Sequence, residues 1–90
     1  MTINEMLEMI ENNYDIVELR DSYDGEPVST LFLNKKHSIG EFQDAIDKAK
    51  EKHAKDIYLY GNDWEYIEQE LDMFDYELIG FDDARYFVEY

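Results

Sequence analysis

Three helix-start signals, spread along the chain, constrain its fold more than any other feature of the sequence. In each signal a residue with a side-chain oxygen stands three positions before a glutamate, a spacing typical of helix N-caps and capping boxes. The pairs are Thr2 with Glu5, Ser38 with Glu41, and Asn62 with Glu65. The sequence therefore predicts three helices, and the first should run to about Asn12.

Apolar residues recur at helical spacing after each of these signals, so each predicted helix has one apolar side. The three stripes are Ile3, Met6, Leu7 and Ile10; Ile39, Phe42, Ala45, Ile46 and Ala49; and Trp64, Ile67, Leu71 and Phe74. Such a stripe is stable in water only when it packs against another element. We expect the stripes to form most of the contacts between the helices and the rest of the fold.

Short segments rich in β-branched and aromatic residues lie between the predicted helices and predict strands. They are "DIVELR", "VSTLFLN", "DIYLYG", "YELIGF" and "RYFVEY". The first two should form a hairpin across "SYDGEP", with Asp24 and Gly25 supplying positive φ angles, and the last two a hairpin across "DDA". The order α-β-β-α-β-α-β-β predicts an α+β fold, with three helices packed on a largely antiparallel sheet.

The size and composition of the chain favour a single folded domain over residues 1–90. Ninety residues suffice for one modest core, and the 44% apolar and 16% aromatic fractions argue against disorder despite a net charge of −15. The absence of cysteine excludes disulfides and thiolate metal sites. The N-terminus carries acids where a signal peptide carries bases, and no apolar run approaches the roughly 18 residues of a membrane span. We expect a cytoplasmic protein that does not enter membranes.

Negative charge is concentrated at the two ends of the chain. The net charge is −7 over residues 1–34, +2 over residues 35–55 and −10 over residues 56–90. A strongly negative surface repels nucleic acid and anionic membranes and speeds association with cationic proteins. The sequence therefore predicts a cationic protein as the partner, with no direct binding of nucleic acid; a basic nucleic-acid-binding protein carries a surface of this kind. A simpler interpretation is that the charge only keeps the protein soluble.

The segment 62–77 is the most unusual part of the sequence, because it holds seven carboxylates and no lysine or arginine. If it is one helix with its apolar stripe inward, four acids at spacings of three, four and three form a row of about 15 Å along one flank. Such a row can imitate a row of phosphates. The predicted partner-binding residues are Glu65, Glu68, Asp72 and Asp75, together with Glu5, Glu8 and Glu11 on the first helix and Asp82 and Asp83 near the C-terminus. The alternative is an acidic helix face that only meets solvent.

Catalytic and metal-binding patterns are poorly represented in the sequence. His37 and His53 lie at opposite ends of the second predicted helix, about 24 Å apart, so they cannot share a metal ion. The stretch "DSYDGE" lacks the alternating ligands and the terminal glutamate of a calcium loop. No phosphate-binding glycine loop or serine elbow is present. We expect no catalytic residues, no metal and no cofactor, and interpret the protein as a non-enzyme.

Two short stretches resemble known inhibitors. The opening "MTINEMLEMIENNYDIVEL", 19 of the 90 residues, resembles the start of the small acidic type II-A anti-CRISPR proteins of prophages, which bind Cas9 at the site for the PAM duplex. The stretch "DDARYFVEY" is similar to an "ARYYIE"-like stretch of the ArdA antirestriction proteins, acidic DNA mimics that inhibit type I restriction enzymes. Both resemblances imply an inhibitor from a phage or mobile element that blocks a DNA-binding defence enzyme of the host. At the level of residues they reach only the acidic character of Glu5, Glu8 and Glu11.

Two other functions fit the same residues. The protein could be a small non-catalytic interaction or assembly adaptor that binds a partner through its acidic helix or by pairing the C-terminal strand "RYFVEY" with the partner's sheet. It could also be an accessory subunit of an enzyme, with no groove binding at all.

Overall fold

The computed structural model of the protein describes residues 2–80 and 84–90. In these residues the chain forms four helices and four strands. They are α1 (Ile3–Asn13), β1 (Tyr14–Arg20), β2 (Pro27–Asn34), α2 (Ile39–Lys52), α3 (Ala54–Tyr60), α4 (Trp64–Glu68), β3 (Tyr76–Ile79) and β4 (Tyr86–Glu89). The predicted α+β class is confirmed, with one helix more than expected and the order α-β-β-α-α-α-β-β.

The first two helix starts lie where the sequence predicts them. The Thr2 hydroxyl accepts from the backbone N–H of Glu5 at 3.2 Å, and the Thr2 N–H donates to the Glu5 carboxylate at 3.4 Å, which completes a capping box. At the start of α2 the Ser38 hydroxyl accepts from the backbone N–H of Glu41 at 3.1 Å. Both helices therefore begin where side chains satisfy their free N–H groups.

The third predicted N-cap is wrong by one residue. Asp63 is the N-cap of α4, and its carboxylate accepts from the backbone N–H of Glu65 at 3.2 Å. Asn62 instead donates to the Asp21 carboxylate at 3.1 Å and to the Tyr90 carbonyl at 2.8 Å. Its amide therefore joins the turn after β1 to the end of β4, and these distant partners could not be found from local spacing.

The predicted hairpin of β1 and β2 is confirmed. The two strands pair antiparallel from Tyr14 opposite Asn34 to Arg20 opposite Pro27. Only one of the two expected positive φ angles is present in the turn: Gly25 has φ 71°, whereas the Asp24 carboxylate accepts from the backbone N–H of Glu26 at 2.9 Å. Glycine adopts this left-handed conformation without steric cost, which explains why Gly25 occupies the position.

The second predicted hairpin is wrong, because β3 and β4 lie at opposite edges of the sheet. The strand order among the described residues is β3-β2-β1-β4, with β3 antiparallel to β2 and β4 parallel to β1. The sheet is therefore mixed rather than formed of antiparallel hairpins alone. The fully buried Val88 and the buried Tyr90 explain this position of β4, because they fill the core beside β1, where the Tyr90 ring meets Trp64 edge-on at 5.3 Å.

The segment "DIYLYG" is helical and not a strand. Residues 56–60 belong to α3, which follows α2 after a break at His53 and ends at Tyr60, and Gly61 caps the helix with a φ angle of 104°. Only Ile57 of this helix is buried, while Tyr58, Leu59 and Tyr60 are exposed. The alternation of side chains that suggested a strand therefore does not correspond to alternate burial, and the helix satisfies its backbone groups without a neighbouring strand.

One continuous core lies between one face of the sheet and the α2–α4 side of the molecule. The apolar residues that form it are Val17, Leu19, Leu31, Leu33, Phe42, Ile46, Ala49, Trp64, Ile67, Leu71, Phe74, Val88 and Tyr90. The stripes predicted for the second and third helices are thus confirmed, with Ile39 and Ala45 packed against the core while partly exposed. The stripe of α1 contributes no buried residue. In the described ranges no helix is long and apolar enough to cross a bilayer.

Candidate acidic binding groove

The acidic segment 62–77 is not one helix. Helix α4 ends at Glu68, and the chain continues through tight turns in which the N–H groups of Leu71 and Phe74 donate to the carbonyls of Glu68 and Leu71, each at 3.0 Å. These bonds span three residues, so Leu71 and Phe74 still point into the core although the helix has ended. A single helix would also keep like charges three and four positions apart along its length, which is unfavourable.

The four acids predicted as a helical row are nevertheless brought together. Glu65 and Glu68 on α4 and Asp72 and Asp75 in the following turns line one open groove of about 730 Å³. Strand β3 adds Tyr76, Glu77 and Leu78 to the lining. We call this surface the acidic groove. The predicted straight row of carboxylates is wrong in shape, because the turns after Glu68 bend it into a concave surface.

The carboxylates of the acidic groove have no basic partner. Within residues 2–80 and 84–90, none of the ion pairs includes Glu65, Glu68, Asp72, Asp75 or Glu77. Four of these five residues are exposed and Glu68 is half-buried. Their charge is therefore available to a ligand, and a concave arrangement of one sign of charge concentrates the potential.

The pKa of Tyr76 reflects the negative charge of this groove. Burial raises the pKa of its phenol above the usual value, and the charge of Glu68, a hydrogen bond to Glu68 and the charge of Asp72 raise the pKa further. A phenolate would add a negative charge beside two carboxylates, so the proton is held more tightly. Glu68 on α4 and Asp72 in the following turn therefore both lie close enough to Tyr76 to raise its pKa.

Glu70 lies in the same acidic segment but is neutralised. Its carboxylate accepts from Lys52 Nζ at 2.9 Å and lies 3.1 Å from His53 Nε2. These two side-chain hydrogen bonds lower the pKa of Glu70 more than its partial desolvation raises it. Lys52 belongs to α2. Glu70 is therefore compensated by a distant base, although the groove acids close to it in sequence are not.

The other predicted binding residues lie outside the acidic groove. On α1, Glu5 is occupied by the capping box, and Glu11 pairs with the Arg85 guanidinium at 2.9 Å. Glu8 is exposed. Asp82 and Asp83 lie outside the described residues.

The two histidines take part in local contacts. His37, just before α2, has its Nδ1 3.9 Å from the Glu41 carboxylate and its ring edge-on to Phe74 at 4.8 Å. His53, after α2, has Nδ1 3.8 Å from Asp56. In the part of the chain that the structure describes, no group of three or more metal-ligating side chains could hold a metal ion.

Sequence reasoning missed Tyr76, Glu77 and Leu78 as part of the site. It assigned them to a hairpin strand, whereas β3 pairs with β2 and faces the turns after α4. The available signal was the position of Glu77, which ends the run of seven carboxylates at the point where helical spacing gives way to strand residues.

No protein-family model matches this chain, and no curated protein or solved structure is significantly similar to it.

Proposed function

We propose that the protein is a nucleic-acid-mimicking inhibitor of a host defence nuclease. It occupies the DNA- or RNA-binding groove of that enzyme without catalysis, with Cas9 as the leading candidate and a type I restriction enzyme as the second. As an inhibitor encoded by a phage or a mobile element, it would act in the cytoplasm of the host cell.

The observation that supports this proposal is the group of five carboxylates that line one groove without a basic partner. Lysine and arginine side chains of a nuclease contact phosphates on both sides of a nucleic-acid groove and are drawn to narrow grooves of strong negative potential. The acidic groove offers carboxylates from α4, from the turns and from β3, so a cationic side chain can enter between them. The acidic groove therefore resembles a nucleic-acid groove, which has phosphates along both walls, more than it resembles one row of phosphates.

The adaptor function through the C-terminal strand is less well supported. Strand β4 is an edge strand, but the side-chain amide of Gln43 donates to the Glu89 carbonyl at 2.8 Å and accepts from the Glu89 N–H at 3.0 Å. These two bonds occupy backbone groups that a partner strand would need. Strand addition at β4 would have to displace them.

The test is inhibition of DNA cleavage by purified guide-loaded Cas9 and by a purified type I restriction enzyme. The groove variant carries Glu65→Gln, Glu68→Gln, Asp72→Asn and Asp75→Asn, which keep side-chain size and remove four charges. The matched control removes four charges from other exposed acids: Glu26→Gln, Asp44→Asn, Asp47→Asn and Glu51→Gln.

We expect the parent and the control to inhibit at similar concentrations and the groove variant to need at least about ten times more protein, a loss of roughly 1.4 kcal/mol. Equal inhibition by the groove variant would show that the acidic groove is only a solvated surface. If the parent inhibits neither type of nuclease, the adaptor function becomes the better explanation.

A further inference from the structure

Helix α1 presents an apolar edge to solvent. Ile3, Met6 and Met9 follow one another at spacings of three, so they lie along one line of the helix. Their exposed fractions are 74%, 49% and 55%, and no residue of α1 is buried. We call these three residues the apolar ridge.

Contacts near its C-terminus and the half-buried side chains of Leu7, Ile10 and Glu11 hold the helix on the fold, whereas the apolar ridge does not. At its N-terminus the capping box of Thr2 and Glu5 fixes the first turn. At its C-terminus the Lys35 N–H donates to the Asn13 carbonyl at 3.1 Å, and Glu11 pairs with Arg85. A free helix of 11 residues is marginal in water, since most helical stability in proteins comes from packing of the apolar side. Contact with another molecule would supply that packing.

The apolar surface of α1 is continuous with the acidic groove. Ile10, one turn after Met6, lines a second open groove of about 490 Å³ with Tyr14 and Phe32, whose rings are 6.0 Å apart. The lining of this second groove also includes Asp75, Tyr76 and Glu77, which belong to the acidic groove as well. A molecule that covers the apolar ridge and the second groove therefore meets the negative charge of Asp75 and Glu77.

The negative charge near the apolar ridge favours a cationic partner. Helix α1 carries Glu5, Glu8 and Glu11 and no lysine or arginine. A second copy of this chain would bring these glutamates, Asp75 and Glu77 against like charges, in a complex of two chains that each carry −15. A cationic surface is instead complementary to Asp75 and Glu77, which belong to no ion pair of the described residues, whereas Glu11 is already paired with Arg85.

We propose that the apolar ridge and the second groove bind an amphipathic helix of a protein partner, with the apolar side of that helix on the ridge and its lysines and arginines beside Asp75 and Glu77. This inference goes beyond inhibition by the acidic groove, because it assigns an apolar contact to α1 and holds whether or not the partner is a nuclease. The acidic groove supplies charge to the complex, and the ridge supplies contact that salt does not screen.

The probe is a labelled amphipathic helical peptide of leucine and lysine, roughly 18 residues long so that it forms a stable helix. Binding is followed by fluorescence anisotropy at about 0.5 M salt, where charges more than about 4 Å apart are screened. The ridge variant is Met6→Gln with Met9→Gln, because glutamine has almost the helix propensity of methionine. The control is Tyr58→Gln with Leu59→Gln, which removes two exposed apolar residues from α3.

We expect the parent and the control to bind the peptide within about twofold of each other and the ridge variant to bind at least about tenfold more weakly. Circular dichroism checks that all three proteins keep their helix content. Equal binding by the ridge variant, or no binding by the parent, overturns the proposal. A dimer of the parent that forms at this salt concentration and is lost in the ridge variant also overturns it, since the occupant would then be a second copy of the chain.

Discussion

At the scale of single residues, the charge available for binding depends on which carboxylates find a basic partner. Glu70 and Glu11 are paired with Lys52 and Arg85, whereas the carboxylates of the acidic groove are not in any ion pair of the described residues. The local sequence predicted an uncompensated segment 62–77 and was wrong only at Glu70. Its partner lies 18 residues earlier in the chain, and contacts of that range depend on the fold.

The pairing of Glu70 predicts a pH-dependent contribution to stability. Because its pKa is lowered in the folded state, the contribution is present above the ordinary glutamate pKa of 4.5 and is lost as the pH falls through the lower pKa of the folded state. Glu70→Gln should therefore be less stable than the parent at neutral pH, and the difference should shrink in acid. Urea unfolding of both proteins across this pH range measures the difference. A difference that stays constant below pH 4.5 would contradict the assignment.

The raised pKa of Tyr76 predicts a second pH-dependent contribution to stability, at alkaline pH. This pKa is raised above the ordinary tyrosine value of 10.0, so the contribution of Tyr76 to stability is complete below pH 10.0 and is lost as the pH rises toward the pKa of the folded state. In a tyrosinate absorbance titration, the parent should contain a late-titrating group that Tyr76→Phe lacks. Tyr66 and Tyr90 also have raised pKa values, so the variant should lose only part of the late titration. Identical titration curves would show that Tyr76 is not the group concerned.

At the scale of elements, the sequence predicts structure well where an element contains its own start signal and its own apolar stripe. Helices α1 and α2 are of this kind, and the hairpin of β1 and β2 was predictable for a similar reason, because its strands are joined by a local turn that contains Gly25. Prediction fails for α3, for the length of α4 and for the partners of β3 and β4. Those features depend on contacts with residues far away in the sequence. The parallel pairing of β4 with β1 is an example.

The same distinction applies to the candidate site. The identities of Glu65, Glu68, Asp72 and Asp75 could be predicted because apolar spacing fixes which side chains point inward. The concave shape could not, since it depends on turns after Glu68 and on the pairing of β3 with β2.

The contact between Gln43 and β4 gives a prediction at this scale. Gln43→Ala removes two hydrogen bonds to the backbone of Glu89, each expected to contribute about 1 kcal/mol or less at this exposed edge. We expect lower stability by about 1 kcal/mol and faster hydrogen exchange of the Glu89 amide, with little change elsewhere. Gln69→Ala is the control, because Gln69 is an exposed glutamine. Unchanged exchange at Glu89 would show that Gln43 does not protect this edge.

At the scale of the whole molecule, the net charge of −15 opposes folding through self-repulsion. The described chain is elongated, with extents of 47 × 24 × 17 Å, and residues 35–55, which include α2, carry six of the eight lysines and arginines. The protein should therefore become more stable when salt screens the repulsion, up to about 0.15 M, where the Debye length is about 8 Å. A melting temperature that stays flat or falls over this range would contradict the prediction.

The most direct test of nucleic-acid mimicry is a competition measurement with guide-loaded Cas9 or a type I restriction enzyme. The dissociation constant of labelled target DNA for the nuclease is measured at increasing concentrations of the protein, after a mobility-shift control has checked that the protein alone does not bind the DNA. The account predicts that the apparent dissociation constant rises in proportion to the protein concentration while saturating DNA still reaches the same maximal binding, and that this rise is much smaller with the groove variant. A stable complex of protein, nuclease and DNA together, or a fall in maximal binding with an unchanged dissociation constant, would contradict it.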